Sequence, residues 1–329
     1  MKSLLFCGAL LLTAFAPVAP AGGIAQPPSA QPEPEALSLF GEPLRPAPLS
    51  KEALADREAK LAEARAAVAA RPDDPDALIW LGRRTAYLGR YRESIEIFSR
   101  GIARFPEDAR FYRHRGHRYL TLRKFGHAVA DLEQGTRLVA GKADEVEPDG
   151  LPNARNIPTS TLQSNLWYHL GLGYYLQEDF DKALAAYREC LKVSKNPDML
   201  VATSHWLYMT LRRLGREEEA RAVLAPIRSD MEILENQAYH RLLLMYRGEV
   251  KPEALLAPAA GADAIDPVTV GYGVGNWHLY NGRQDEAAKV FQSVLDQGQW
   301  AAFGHIAAEV DLHRLKRKPA TSTTSSARP

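Results

Sequence analysis

The stretch RHRGHRYL at 113–120 concentrates charge: five of its first six residues are Arg or His. Guanidinium groups make charge-assisted bonds to carboxylates, and two imidazoles at i, i+3, such as His114 and His117, can share a metal ion. No Cys and no Glu-x-x-His grouping stands beside these histidines, and the neighbouring arginines oppose a bound cation, so no metal is expected. Glu145, Glu147, Asp149 and Gly150 faintly echo a calcium loop. That run lacks the first Asp, contains Pro148, and has Asn156 where a closing Glu should stand. Cys190 reads as a small core residue rather than a reactive thiol. No nucleophile elbow, phosphate-binding glycine loop or HExxH is present. The chain is therefore expected to be no enzyme and to need no cofactor. The alternative is an enzyme or metal-dependent binder built from the histidines and the 139–161 segment.

A charged stretch must still be positioned by something that packs. On a helix Tyr112, Gly116 and Tyr119 share one face at i, i+4, i+7, while Arg113, His117 and Leu120 share the next. Packing and charge then occupy different faces of one element.

The elements around it repeat. Gly82 and Gly116 lie 34 residues apart. Each is followed by a helical stretch, a short break, an aromatic (Tyr91, Phe125) and a second amphipathic helix. Similar units surround Gly171, then 201–227, then 270–295. The repeats supply Leu78, Leu81, Gly82, Ser94, Phe98, Gly101 and Pro106 in the first, and Tyr112, Gly116, Tyr119, Ala128, Leu132 and Gly135 in the second. The third has Trp167, Leu170, Gly171, Tyr174, Ala183, Tyr187 and Cys190. The fourth has Leu207, Leu211, Ala220 and Leu224 but Tyr208 where a small residue is expected, and the fifth has Val274, Gly275, Ala287, Phe291 and Val294. This pattern resembles the tetratricopeptide repeat family over most of 72–300. The resemblance implies an all-α fold, an α-solenoid in which helix-turn-helix units stack into a right-handed superhelix.

It also implies a concave groove lined from repeat positions 5, 9 and 12. Those positions carry Arg83 in the first copy and Arg113 and His117 in the second. The third copy has Tyr168 and Tyr175 there, the fourth His205 and Arg212, and the fifth Tyr272 and Asn276. Such a groove would favour an acidic or C-terminal carboxylate peptide, so the expected partner is a protein or peptide segment, acidic so that its charge complements Arg and His. The competing expectation is that these groups are solvated or pair with Asp and Glu across repeats. Ile79 and Arg83 stand where the family's chaperone-tail carboxylate clamp has its first lysine and asparagine, so chaperone-tail binding is not implied. Arg115 stands where the family prefers Leu.

Bulk properties set the remaining limits. The 329 residues carry a formal net charge of +1, which gives no bulk attraction to nucleic acid. Lys2, the apolar run 4–16 and Ala-Pro-Ala at 19–21 read as a signal peptide over 1–21. Cleavage there would leave Cys190 alone and implies an exported protein, with a bacterial periplasm as the expected compartment. No later apolar run is long enough to span a membrane. Residues 22–49 hold seven prolines and read as an extended linker. The repeat domain is expected over 50–318, with an insert at 139–161 that breaks the period and reads as a surface excursion outside the stack. The 299–318 stretch reads as a closing helix and 319–329 as a disordered tail.

Overall fold

The computed structural model describes residues 33–257 and 266–317; the expected signal peptide at 1–21 and tail at 319–329 lie outside the described residues. Among the described residues the chain is all-α apart from one small hairpin, β1 Ala36–Leu37 paired antiparallel with β2 Pro43–Leu44. After α1, Lys51–Ala70, helices follow in antiparallel pairs: α2 Pro75–Tyr87 with α3 Tyr91–Arg104, α4 Ala109–Thr121 with α5 Phe125–Val139, and α6 Leu162–Leu176 with α7 Phe180–Val193. The series continues with α8 Pro197–Arg213 and α9 Glu217–Val223, α10 Gln237–Tyr246 and α11 Pro252–Leu256, then α12 Asp266–Tyr280 and α13 Gln284–Asp296. One unpaired helix, α14 Phe303–Arg317, closes the series.

Local chemistry starts and stops these helices. Ser50 accepts from the Ala53 amide at 3.1 Å, Asp74 from Asp76 at 2.9 Å and Asp108 from Arg110 at 3.0 Å, each satisfying a backbone donor that the first helical turn leaves free. Thr161 and Ser164 cap α6 reciprocally. The turn inside five of the pairs takes a left-handed residue at one repeat position: Gly89, Arg123, Glu178, Gly215 and Gly282, with φ of 77, 61, 62, 72 and 79°. Three are glycine, which occupies that region freely; each of the two L residues costs about 1–2 kcal/mol there.

The pairs touch where the small residues sit. A Cβ on Gly82 would lie 2.4 Å from Phe98, on Gly116 2.8 Å from Leu132, on Gly171 2.7 Å from Tyr187 and on Gly275 2.5 Å from Phe291. These four matching approaches establish the register of the repeats, because each large partner is the same number of residues downstream of its glycine. Arg115, the departure from the expected Leu, forms a bidentate pair with Asp131 (2.7 Å to each oxygen) and donates to Ser99 at 3.0 Å, joining α3, α4 and α5.

Three expectations change. First, residues 33–49 are not a free linker. Leu44 is buried with Leu122 and Trp300, Trp300 donates to the Arg45 carbonyl, and Phe40 packs edge-on against His313 at 5.4 Å. Two-residue strands are too short to show alternation, and the Pro-rich composition around them masks the hairpin. Second, the insert lies on the surface but is tied into the stack. Val146 bridges Thr161, Gly150 is buried against Tyr87, and Arg84 donates to the Gly150 carbonyl at 2.9 Å. At its far side Asn153 and Thr159 donate to Glu235 at 2.6 and 2.8 Å, and Arg155 pairs with Glu232. The insert thus spans from α2 to the segment before α10. Third, α14 does more than close the series. Residues 304–312 are buried throughout, because the helix lies along the concave side of the earlier repeats.

Candidate functional site

The concave side is filled from within. Phe303 at the start of α14 packs against His117 at 5.1 Å and His169 at 5.4 Å. Glu309 meets Arg123 at 2.5 Å, with side chains only 1% and 4% exposed. Asp311 meets Arg213 at 3.1 Å and accepts from the Tyr272 hydroxyl at 3.0 Å. Arg314 donates to the Leu176 carbonyl at 2.6 Å and pairs with Glu178 at 3.3 Å. The two non-glycine residues of the left-handed turns, Arg123 and Glu178, are therefore the ones that reach α14.

This contact is part of the core. Ile306, Val310 and Leu312 are 0–4% exposed. Burial of such side chains is worth about 1.5–3 kcal/mol each, so the three contribute roughly 5–9 kcal/mol. A segment bound at micromolar affinity has about 8 kcal/mol in total. An incoming peptide of ordinary affinity would lose all of it in displacing α14, so the covered part of the groove is closed to it.

The nine groove candidates divide accordingly. Tyr168, Tyr175, His205, Tyr272 and Asn276 are buried. Tyr168 accepts from the Trp206 indole at 2.7 Å and shares a 3.0 Å bond with Tyr239. The Tyr272 and Tyr175 hydroxyls lie 2.9 Å apart, and Arg213 donates to Asn276 at 3.2 Å. His205 lies stacked on Tyr246, and burial pushes its pKa down to about 3. Burial pushes the Tyr175 phenol up to about 12. Arg212 sits apart, over the Tyr280 ring at 4.5 Å with Asn281 and Glu217 beside it. These six form or flank a polar core instead of an open surface.

Arg83, Arg113 and His117 are brought together at the other end, where α2, α4 and the insert border a cavity of about 230 Å³. Arg113 Nε lies 2.9 Å from a Glu147 carboxylate oxygen, both side chains about nine-tenths buried. Arg113 Nη1 also approaches Nδ1 of His114 at 3.1 Å and of His117 at 3.4 Å. A guanidinium only donates, so both Nδ1 atoms accept and the imidazoles are neutral. Burial and the surrounding arginines agree, holding both well below the ordinary His range. Arg83 bonds the Tyr87 hydroxyl at 3.2 Å and lies over Trp80 at 4.3 Å.

Sequence reasoning missed Arg118, which lines the same cavity, and Glu147 as the partner of Arg113. It also missed Arg123, Glu178, Arg213, Glu309 and Asp311. One signal was present: the second and third repeats lack glycine at the turn position where the other three have it. Cys190 is fully buried with Sγ 3.2 Å from Thr203 Oγ1, and burial pushes the thiol up to about 11, so no thiolate forms near neutral pH. Among the described residues no three His, Cys, Asp or Glu side chains are placed to hold a metal ion, and no helix is long and apolar enough to cross a membrane.

Two family models for the tetratricopeptide repeat match, one over residues 82–143 and one over 164–197. No curated protein matches the chain. Among solved structures it is similar to YrrB, described as a TPR protein with an unusual peptide-binding site, at 13% identity over 71% of this chain and 91% of that one, with a TM-score of 0.41. It is similar also to TTC0263, a thermophilic TPR protein of Thermus thermophilus, at 23% identity over 59% of this chain and 93% of that one, TM-score 0.41. MamA AMB-1 shares 17% identity over 52% of this chain and 94% of that one, TM-score 0.37.

Proposed function

From the tetratricopeptide-repeat matches over residues 82–143 and 164–197 we propose that this chain is a non-enzymatic scaffold holding an acidic protein or peptide segment at the N-terminal mouth of its concave side. The repeat class supports a protein-interaction role. The observation that supports the finer reading is the convergence of Arg83, Arg113 and Arg118 on a stretch of the concave side that borders a cavity. An acidic group entering there would form charge-assisted bonds away from bulk water. Crosslinking in the native host, followed by mapping of the linked residues, tests this. Links should fall on α2, α4 and the insert, and a doubled salt concentration should lower their yield. Links confined to the outer helices, or a yield indifferent to salt, would sink the reading.

We propose further that the chain is exported, with a bacterial periplasm as its compartment. The support is the order of Lys2, the apolar run 4–16 and Ala-Pro-Ala at 19–21. Intact-mass measurement of the protein from its host should show a mature N-terminus near Gly22. A chain retaining Met1 in the host would refute export by this route.

A further inference from the structure

The cavity under the insert is lined by three arginines and three acids, but only one of the arginines is ion-paired. Three guanidiniums line it, from Arg83, Arg113 and Arg118. Arg113 is paired with Glu147. Neither Arg83 nor Arg118 has a carboxylate at ion-pair distance among the described residues. Arg83 is held by the Tyr87 hydroxyl, and Arg118 lies 5.5 Å from the Tyr91 ring centre. Two other acids border the cavity, Asp149 and Glu235. Both are exposed and bonded elsewhere: Asp149 accepts from the Leu151 amide, Glu235 from Asn153 and Thr159. His114 and His117 add no charge, being neutral.

Unpartnered charge withdrawn from water is costly. Arg118 is only partly buried, and burial, then the fields of Arg113 and Arg83, push its pKa down to about 10. Two guanidiniums without an ion pair suit an anion of two charges, and their planar forks match a tetrahedral oxyanion. A cavity of about 230 Å³ has room for a phosphate group with the first atoms of its ester, and the single charge of a carboxylate would leave one of the two guanidiniums without a counter-charge.

We infer that this cavity is a receptor for a phosphate monoester dianion, gripped by Arg83 and Arg118 while the Arg113–Glu147 pair holds the wall in place. The site is the mouth where the acidic segment was placed above, but the inference does not need that segment: the ester can be carried by a peptide or by a small molecule.

The test uses the full chain in calorimetric titration and thermal melting at fixed ionic strength, with inorganic phosphate, phenyl phosphate and phenylacetate as probes. Phenyl phosphate should bind saturably at one site per chain, at least as tightly as inorganic phosphate, and phenylacetate at least tenfold more weakly. Arg83→Gln and Arg118→Gln should each weaken phenyl phosphate by tenfold or more, Arg118→Lys by less. Arg188→Gln, an exposed arginine far from the cavity, should change nothing. Without ligand the two glutamine variants should melt no lower than the parent, because each removes an unneutralised charge. Absence of saturable binding, equal binding of phenylacetate, exclusion of the ester in favour of free phosphate, or unchanged affinity in Arg118→Gln would each overturn the inference. So would a collapsed melt in both glutamine variants, which would mean those charges are already structurally partnered. Loss of protein capture with phenyl phosphate binding intact would instead remove only the scaffold reading.

Discussion

Arg123 and Glu178 occupy the same strained turn position, yet they do different work there. Arg123 meets a carboxylate that is 1% exposed, whereas the Glu178 side chain is 48% exposed and its partners Arg213 and Arg314 lie 3.6 and 3.3 Å away. Removing one member of a buried pair costs about 3–5 kcal/mol, which outweighs the 1–2 kcal/mol recovered by relaxing the backbone. Arg123→Gly should therefore destabilise by about 1–4 kcal/mol in urea unfolding. Exposed pairs contribute about 0–1 kcal/mol, so Glu178→Gly should leave stability unchanged or raise it by about 1 kcal/mol. Equal losses in the two variants would contradict this division. Gly171 belongs at this scale too. A leucine there would drive into the Tyr187 ring, since even the Cβ falls 2.7 Å from it. The expected cost is about 1–3 kcal/mol, read as a lower melting midpoint. At Arg113 the exposed-charge reading is replaced. Its pairing with Glu147 is buried, so a charge reversal there would damage the fold as well as any binding, which is why Arg83 and Arg118 are the informative positions.

At the scale of elements, the insert joins α2 to the segment before α10 and supplies Glu147 to the interior. Replacing 141–157 with a short Gly-Ser linker should lower the melting temperature and strand Arg113 without its carboxylate, at about 3–5 kcal/mol. Adding Arg113→Leu to the linker variant should recover part of that loss. An unchanged melt of the linker variant would mean the insert contributes nothing to the fold. The helix pairs were legible in the sequence because they are local: a glycine and its large partner recur within one repeat, as Gly82 with Phe98 and Gly171 with Tyr187. The placement of α14 was not. Arg123 and Glu309 are 186 positions apart, and no periodicity links them. The same holds for Glu147, whose acidic neighbours made it look solvated. The candidate groove residues could be assigned to one side of their helices, but sequence carried no sign that Phe303 and Asp311 would occupy the space in front of them.

Taken whole, the molecule buries histidines that must stay neutral. His205 is pushed down to about 3, and His305 to about 4 by burial and then by Arg123. The unfolded chain would protonate both near the ordinary value of about 6.5. The folded state therefore holds fewer protons below that point. The stability these groups contribute is complete above about pH 6.5 and is lost as pH falls toward 4 and then 3. Each such group steepens the loss by up to about 1.4 kcal/mol per pH unit. Melting temperature should fall between pH 7 and 5, and His205→Phe should flatten that fall by about one proton's worth. A parallel pH dependence in parent and variant would count against it.

The contact between the hairpin, α14 and the middle repeats also bears on how the chain is made. In an ordinary solenoid each repeat needs only its neighbour, so the first repeats can settle while later ones are still being synthesised. Here Leu39 bonds Glu309, 270 positions later, and Arg123 waits for the same residue. The inner surfaces of the early repeats stay wet until the last helix has left the ribosome. Synthesis of α14 through Glu309 is then the step that completes these contacts, and a chain stalled or cut short before Glu309 should remain a substrate for chaperones and proteases however many repeats it already contains.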